Sequence, residues 1–179
     1  GIIGNAVDQS LKLTNDHGED YAYPLFTGYR VDEIADFRAM LDWYKEELKA
    51  HLAYAMTSIN RLDSALPKCY PTPFLSVLIE GCIQNGKDVT AGGAKYNNSG
   101  VNLCGLPNVA DSLAAIQKLV FTDKRYTLKD FQDAMKADYV GYEDMLDAIE
   151  HDCPKFGNDV SAVDDIMAEL VAAAESVVN

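Results

Sequence analysis

Between Val31 and Leu66 the apolar positions Ile34, Phe37, Leu41, Tyr44, Leu48, Leu52, Ala55, Ile59 and Leu62 recur every three or four residues. That spacing places them on one face of a long helix, since an α-helix completes a turn in 3.6 residues. Asp32 stands where it can cap the helix, or serve as a first-turn acid favoured by the helix dipole. Pro67 is expected to end it, because proline lacks the N–H a helix interior needs. A stripe of this kind is a core-packing face.

Shorter patterns flank it. Ile3, Val7 and Leu11 predict a helix over about 3–14 that gives way to the polar break "TNDHGED". "YAYPLFTGYR" predicts an irregular, aromatic-rich connection. "PTPFLSVLIEGCIQNG" opens on two prolines and stops at Asn85-Gly86, so it predicts one helix. Asn108 is expected to cap "NVADSLAAIQKLVF" and Thr127 to cap "LKDFQDAMKADY". Gly141 separates the latter from "YEDMLDAIEHD"; "PKFGND" is a turn, and "AVDDIMAELVAAAESVV" a last helix. The expected fold is mainly α with few short strands, one of them near Lys95–Asn98. No internal repeat or flexible linker divides the chain, so residues 1–179 read as a single segment.

Charge narrows the partners. The net charge is −13, which disfavours nucleic acid and anionic membrane surfaces, both of which select a basic face. No apolar run reaches the ~20 residues that span a bilayer, and "GIIGNAVDQS" lacks the features of a signal peptide. A cytoplasmic location is the expectation. Cys69, Cys82, Cys104 and Cys153 form no CxxC pair and lie near no histidine cluster, so free thiols are expected and no metal site. His51 falls on the long helix. His151, Asp152 and Cys153 are adjacent in sequence, and three neighbours at a helix end cannot all face one ion.

"GKDVTAGGAKYNNSG", residues 86–100, has the look of a phosphate loop but not its grammar. A P-loop sets Lys and then Ser or Thr after its last glycine and opens a helix. Here Lys95 is followed by Tyr96 and Asn97, and Gly92, Gly93 and Gly100 miss the dinucleotide spacing. Gly92-Gly93 reads as a turn, and the sequon Asn97-Asn98-Ser99 as coincidence.

Taken in order, "PTPFLSVLIEGCIQNGKDVTAGGAKYN", "NVADSLAAIQKLVF" and "PKFGND" resemble the glycyl radical enzymes. That superfamily includes pyruvate formate-lyase, glycerol and diol dehydratases, choline trimethylamine-lyase and arylacetate decarboxylases; the resemblance is strongest to its dehydratase-like branch. It covers about residues 30–165. It implies a segment of the family's ten-stranded α/β barrel. In that barrel a loop carrying a catalytic Cys, in a G-C-V-E type motif, meets a loop carrying the radical Gly, in an R-V-x-G-Y type motif.

Neither motif stands in this chain. The helix at Val7–Leu13 is similar to the one that follows the catalytic Cys loop, so the resemblance implies an interior piece of a longer enzyme. Gly81-Cys82-Ile83-Gln84 mimics the Cys motif, but Gln84 replaces the Glu that would exchange a proton, and Cys82 falls in an apolar helix where a thiol packs well. No residue of the chain is therefore expected to be catalytic. Tyr96 and Asn97 are the candidate substrate-facing residues, at the turn into a barrel strand. The resemblance implies a radical lyase or dehydratase that cleaves a C–C, C–O or C–N bond of a small organic substrate, inactive as this segment alone. It implies no bound cofactor, and a glycyl radical installed in the full-length protein by a separate iron–sulfur, S-adenosylmethionine-dependent activase. Its partners would be the rest of the enzyme chain, the activase and a second copy, in the cytoplasm of an anaerobe. An excised barrel segment should also leave an apolar surface. The competing reading is an autonomous acidic helical module that binds a protein through the Val31–Leu66 helix.

Overall fold

The computed structural model describes residues 34–178 and the backbone of two short strands, β1 (Lys12–Thr14) and β2 (Asp20–Ala22). The strands pair antiparallel, Lys12 opposite Ala22 and Thr14 opposite Asp20. Residues 12–14 are thus extended, not the end of a helix, and a ladder to β2 holds them so. The rest of the expected first helix, most of the aromatic-rich connection and Asp32 lie outside the described residues.

Helices make up nearly all of the remainder: α1 (Phe37–Cys69), α2 (Pro73–Leu78), α3 (Cys82–Asn85), α4 (Leu106–Ile116), α5 (Leu128–Lys136), α6 (Glu143–Asp147) and α7 (Ser161–Val178). They divide into two compact units. A terminal unit holds the chain up to His51 and Cys104–Val177, and a middle unit holds Leu52–Leu103.

In the terminal unit, α1 begins at Phe37, later than the apolar stripe suggests. Asp36 caps it, its Oδ1 accepting from the Ala39 N–H at 2.8 Å. The first half of the stripe packs as a core face: Leu41 is buried beside Met40, with Ile34, Phe37, Tyr44 and Leu48 packed against the same cluster. Further along, Leu52 is buried but Leu62 is 58% exposed, so the expected core face does not stay covered to its end. α4 opens at Leu106 after Gly105 (φ 86°), with Pro107 in its first turn. Asn108 is therefore inside the helix, not its cap, and its carbonyl accepts from Ser112 Oγ at 2.7 Å. Proline is tolerated in that first turn because its missing donor has no helical partner there.

Val109, Ala110, Leu113, Ala114, Ala115 and Ile116 carry the core through α4, and the chain then widens into a π-turn at Gln117–Thr122. Thr127 caps α5 as expected. Asp130 N–H donates to Thr127 Oγ1 at 3.1 Å, and Thr127 N–H to Asp130 Oδ2 at 2.7 Å. The bonds from Thr127 hold the Asp130 carboxyl below the usual carboxylate range. Gly141 (φ 83°) sets off α6, which ends in a second π-turn at Ala148–Asp152, and Gly157 (φ 85°) shapes the "PKFGND" turn. α7 closes the core with Val163, Ile166 and Leu170, and its Glu169 meets Arg38 at 2.8 Å and Lys45 at 2.7 Å.

In the middle unit α1 continues through Pro67 to Cys69. The proline forfeits one donor in the last turn, yet the Tyr70 N–H still reaches the Leu66 carbonyl at 2.8 Å. The expected single helix from Pro73 to Asn85 is broken into α2 and α3 by Gly81, whose φ of 101° no helix contains. Gly86 ends α3 in the left-handed conformation, as the Asn-Gly stop predicted. The expected strand near Lys95–Asn98 does not form. The Lys95 N–H reaches the Glu80 carbonyl at 2.8 Å, but among the described residues no ladder continues from that bond.

Candidate functional site

The glycine-rich stretch is a clamp built around one carboxylate. Asp88 Oδ1 accepts from Thr90 Oγ1 at 2.7 Å, the Thr90 N–H at 2.9 Å and Thr72 Oγ1 at 3.3 Å. Its Oδ2 accepts from the Thr72 N–H at 2.9 Å and Ser76 Oγ at 2.8 Å. Ser76 Oγ also lies 2.8 Å from the Thr72 carbonyl; its single proton serves the carboxylate, where charge strengthens the bond. Its lone pair takes the Val89 N–H at 2.9 Å. The Thr90 hydroxyl, followed by the Thr90 N–H, Ser76 and Thr72, drives the Asp88 carboxyl far below the ordinary carboxylate range. One ionised side chain thereby joins the start of α2 to the 3₁₀ turn Val89–Ala91.

Two glycines tighten the clamp through close backbone approach. A Cβ on Gly93 would stand 2.1 Å from the Lys87 carbonyl oxygen, and one on Gly81 would stand 2.6 Å from the Lys95 nitrogen. Only glycine admits that contact, and Gly81 additionally needs its positive φ. Asn85 Nδ2 donates to the Gly93 carbonyl at 2.9 Å, and the Gly93 N–H to the Asp88 carbonyl at 3.0 Å.

The clamp presents Lys95, Tyr96 and Asn97. Lys95 Nζ pairs with Glu80 Oε1 at 2.8 Å and lies 5.6 Å from the centroid of the Tyr96 ring. Tyr96 is 80% exposed. Asn97 is exposed, and its Nδ2 lies 3.5 Å from the point a Gly92 Cβ would occupy. Both sequence-predicted residues stand exposed in the bend that follows the clamp, offering a phenol and a carboxamide. Each can donate and accept a hydrogen bond.

Cys82 opens α3 and is 3% exposed. Gln84 Oε1 accepts from the Gly81 N–H at 3.1 Å, so the carboxamide in the carboxylate's place holds the turn and has no ionisable proton to transfer. Among the described residues no group of three or more His, Cys, Asp or Glu is placed to hold a metal ion, and no helix is long and apolar enough to cross a membrane. Asp88 was not foreseen. Its trace in the sequence is the Asp-x-Thr pattern of Asp88–Thr90, a side chain poised to accept from the backbone two residues on; the contributions of Thr72 and Ser76 are tertiary.

The Pyruvate formate lyase-like family model matches residues 12–179. The trans-4-hydroxy-L-proline dehydratase of Clostridioides difficile is 28% identical over 170 residues, 93% of this chain and 22% of that protein. The (2S)-3-sulfopropanediol dehydratase of Klebsiella oxytoca is 38% identical over 137 residues, 76% of this chain and 17% of that protein. The glycerol-bound form of the B12-independent glycerol dehydratase from Clostridium butyricum superposes with a TM-score of 0.78 at 27% identity, covering 99% of this chain and 22% of that one. This chain spans about a fifth of the length of the relatives it matches. With a family match running through both units and the clamp, the chain belongs to the pyruvate formate lyase-like family, the glycyl radical enzymes.

Proposed function

We propose that the protein to which this chain belongs is a glycyl radical lyase or dehydratase, cleaving a C–C, C–O or C–N bond of a small organic substrate in the cytoplasm of an anaerobe. The observation that carries the reading is the family match over residues 12–179. The relatives' names support the reaction class: they include dehydratases, arylacetate-type decarboxylases and a sulfite-lyase. This reading replaces that of an autonomous interaction module.

Residues 1–179 act in it as one interior segment of the catalytic domain, supplying scaffold and wall. The clamp fixes the turn, and Tyr96 and Asn97 face the substrate. A phenol and a carboxamide offer hydrogen-bond donors and acceptors, so they bind and orient the substrate. A wall held by close backbone contacts and by the hydrogen bonds to Asp88 would help exclude water from reactive intermediates. A glycyl radical in the full-length protein, installed by a separate iron–sulfur, S-adenosylmethionine-dependent activase, would supply the capacity for hydrogen-atom abstraction. The remaining polypeptide and a second copy complete the list of partners.

Electron paramagnetic resonance on the anaerobically activated full-length protein tests the reading. A glycyl doublet is expected. No doublet under conditions that activate a characterised family member overturns it.

A further inference from the structure

Tyr96 and Asn97 sit between two anchored neighbours. Before them, the Lys95 N–H donates to the Glu80 carbonyl at 2.8 Å, and Lys95 Nζ pairs with Glu80 Oε1 at 2.8 Å. Lys95 is thus tied twice to one partner, by backbone and by side chain. After them, Ser99 Oγ donates to Asp63 Oδ2 on α1. Asp63, Glu80, Lys95 and Ser99 all belong to the middle unit, as do the two residues they bracket.

Regular structure does not fix the bracketed pair. Among the described residues, 94–105 form no helix or strand. Backbone outside a helix or ladder keeps its conformational freedom unless something else restrains it. The restraint here also has direction. Lys95 Nζ lies 5.6 Å from the centroid of the Tyr96 ring, within cation–π reach, so the ammonium that meets Glu80 also faces the phenol. Asn97 Nδ2 lies 3.5 Å from the point a Gly92 Cβ would occupy, so the carboxamide folds back toward the clamp.

An ion pair as exposed as Lys95–Glu80, with side chains 52% and 71% accessible, stabilises a fold little. Its effect on geometry is a separate matter. A binding segment already restrained in one setting loses less freedom when a ligand arrives, and binds the better for it.

We propose that Lys95 and Ser99 are positioning residues, which anchor the Tyr96–Asn97 bend to Glu80 and Asp63 and preset its phenol and carboxamide for the substrate. The inference rests on the reading above that these two side chains face the substrate, and adds what sets them there. Lys95 and Ser99 act through their neighbours.

The fluorine resonance of 3-fluorotyrosine, put in place of Tyr96 in the intact, unactivated enzyme, reads the anchoring without any substrate. Ser99→Ala and Glu80→Ala leave Lys95 and the ring in place. Each should move the resonance partway toward its position in the urea-unfolded protein, and the two combined should move it further. Ser99→Thr keeps the hydroxyl and should restore the wild-type position. Once Lys95 is replaced by Met, Glu80→Ala should move nothing more, because its partner is gone. Molar salt should act on the wild type as Glu80→Ala does, since an exposed pair is screened.

An unmoved resonance in the double variant overturns the proposal. A shift in one single variant and not the other overturns anchoring from both ends. A shift accompanied by faster amide exchange at Val89 and Thr90 also overturns it, because the clamp and not the bend has then been loosened. The glycyl doublet is read separately, after activation. A missing doublet beside the expected shifts refutes the reaction reading alone, whereas a normal doublet beside an unmoved resonance refutes the anchors alone.

Discussion

In the terminal unit the interior is one continuous apolar cluster that draws on α1, α4, α5, α6 and α7. In the middle unit, Leu52 and Cys82 are the buried hydrophobic side chains among the described residues, while large apolar residues from Tyr70 to Leu78 face outward. The first unit is stabilised by removing hydrocarbon from water, at roughly 1.5–3 kcal/mol for each large side chain buried. The second takes its shape from hydrogen bonds to Asp88 and from glycine contacts that admit no side chain. Net of lost water contacts, each such bond contributes little, about 1 kcal/mol or less for a neutral pair, though an unmade one costs more. Polar clamping specifies geometry well and stabilises modestly.

The comparison can be broken from either side, with stability read by amide exchange in the intact protein. Leu113→Ala opens a cavity at a fully buried position of the apolar cluster. It should lower the protection of α4 by about 2–5 kcal/mol while leaving the middle unit's amides unchanged. Equal loss in both units would show that they do not differ as described.

Gly93→Ala drives a methyl into the Lys87 carbonyl. It should cost about 1–3 kcal/mol, confined to the amides of Ile79–Lys95. A neutral outcome would mean that the close approach is not needed.

Asp88→Asn comes next. The variant keeps one acceptor oxygen and turns an NH₂ toward hydroxyl and amide donors, so exchange of Thr72, Val89 and Thr90 should quicken by less than in Gly93→Ala. The wild-type protein carries a pH signature that the variant lacks. Because the folded carboxyl titrates below its unfolded value, its contribution is complete above the ordinary pKa of about 3.9 and is lost as the pH falls toward the folded pKa. A middle-unit pH profile identical in wild type and Asp88→Asn would remove Asp88 from the account.

The smallest effect belongs to Cys82→Ser. Exchanging a buried thiol for a hydroxyl should cost about 1 kcal/mol and leave turnover of the activated enzyme in place. Loss of turnover with a normal glycyl doublet and normal exchange would make Cys82 a radical carrier.

What could be read from the sequence follows from which forces are local. The stripe from Ile34 to Leu48, the Thr127 cap, Gly141 and the last helix were legible because periodicity, side-chain caps and left-handed glycines act within a few residues. The start of α1 was misplaced because Asp32 and Asp36 are equally good caps on paper. The break at Gly81 was missed because an isolated glycine in a helical run is usually tolerated. Here contact with Lys95, fourteen positions on, decides it. The β1–β2 pairing overrode a helical pattern near residue 12 in the same way. Tyr96 and Asn97 emerged through family resemblance and not through periodicity. The setting of Asp88 depends on donors gathered from Thr72, Ser76 and Thr90, an arrangement no short window contains.

The central claim is that this clamp holds a piece of the active-site wall. The direct measurement is a crystal structure of the intact enzyme with its substrate bound. The account predicts Tyr96 or Asn97 in van der Waals or hydrogen-bond contact with the substrate, and the Asp88 bonds to Thr72, Ser76 and Thr90 intact. A substrate separated from both Tyr96 and Asn97 by another layer of side chains would contradict it.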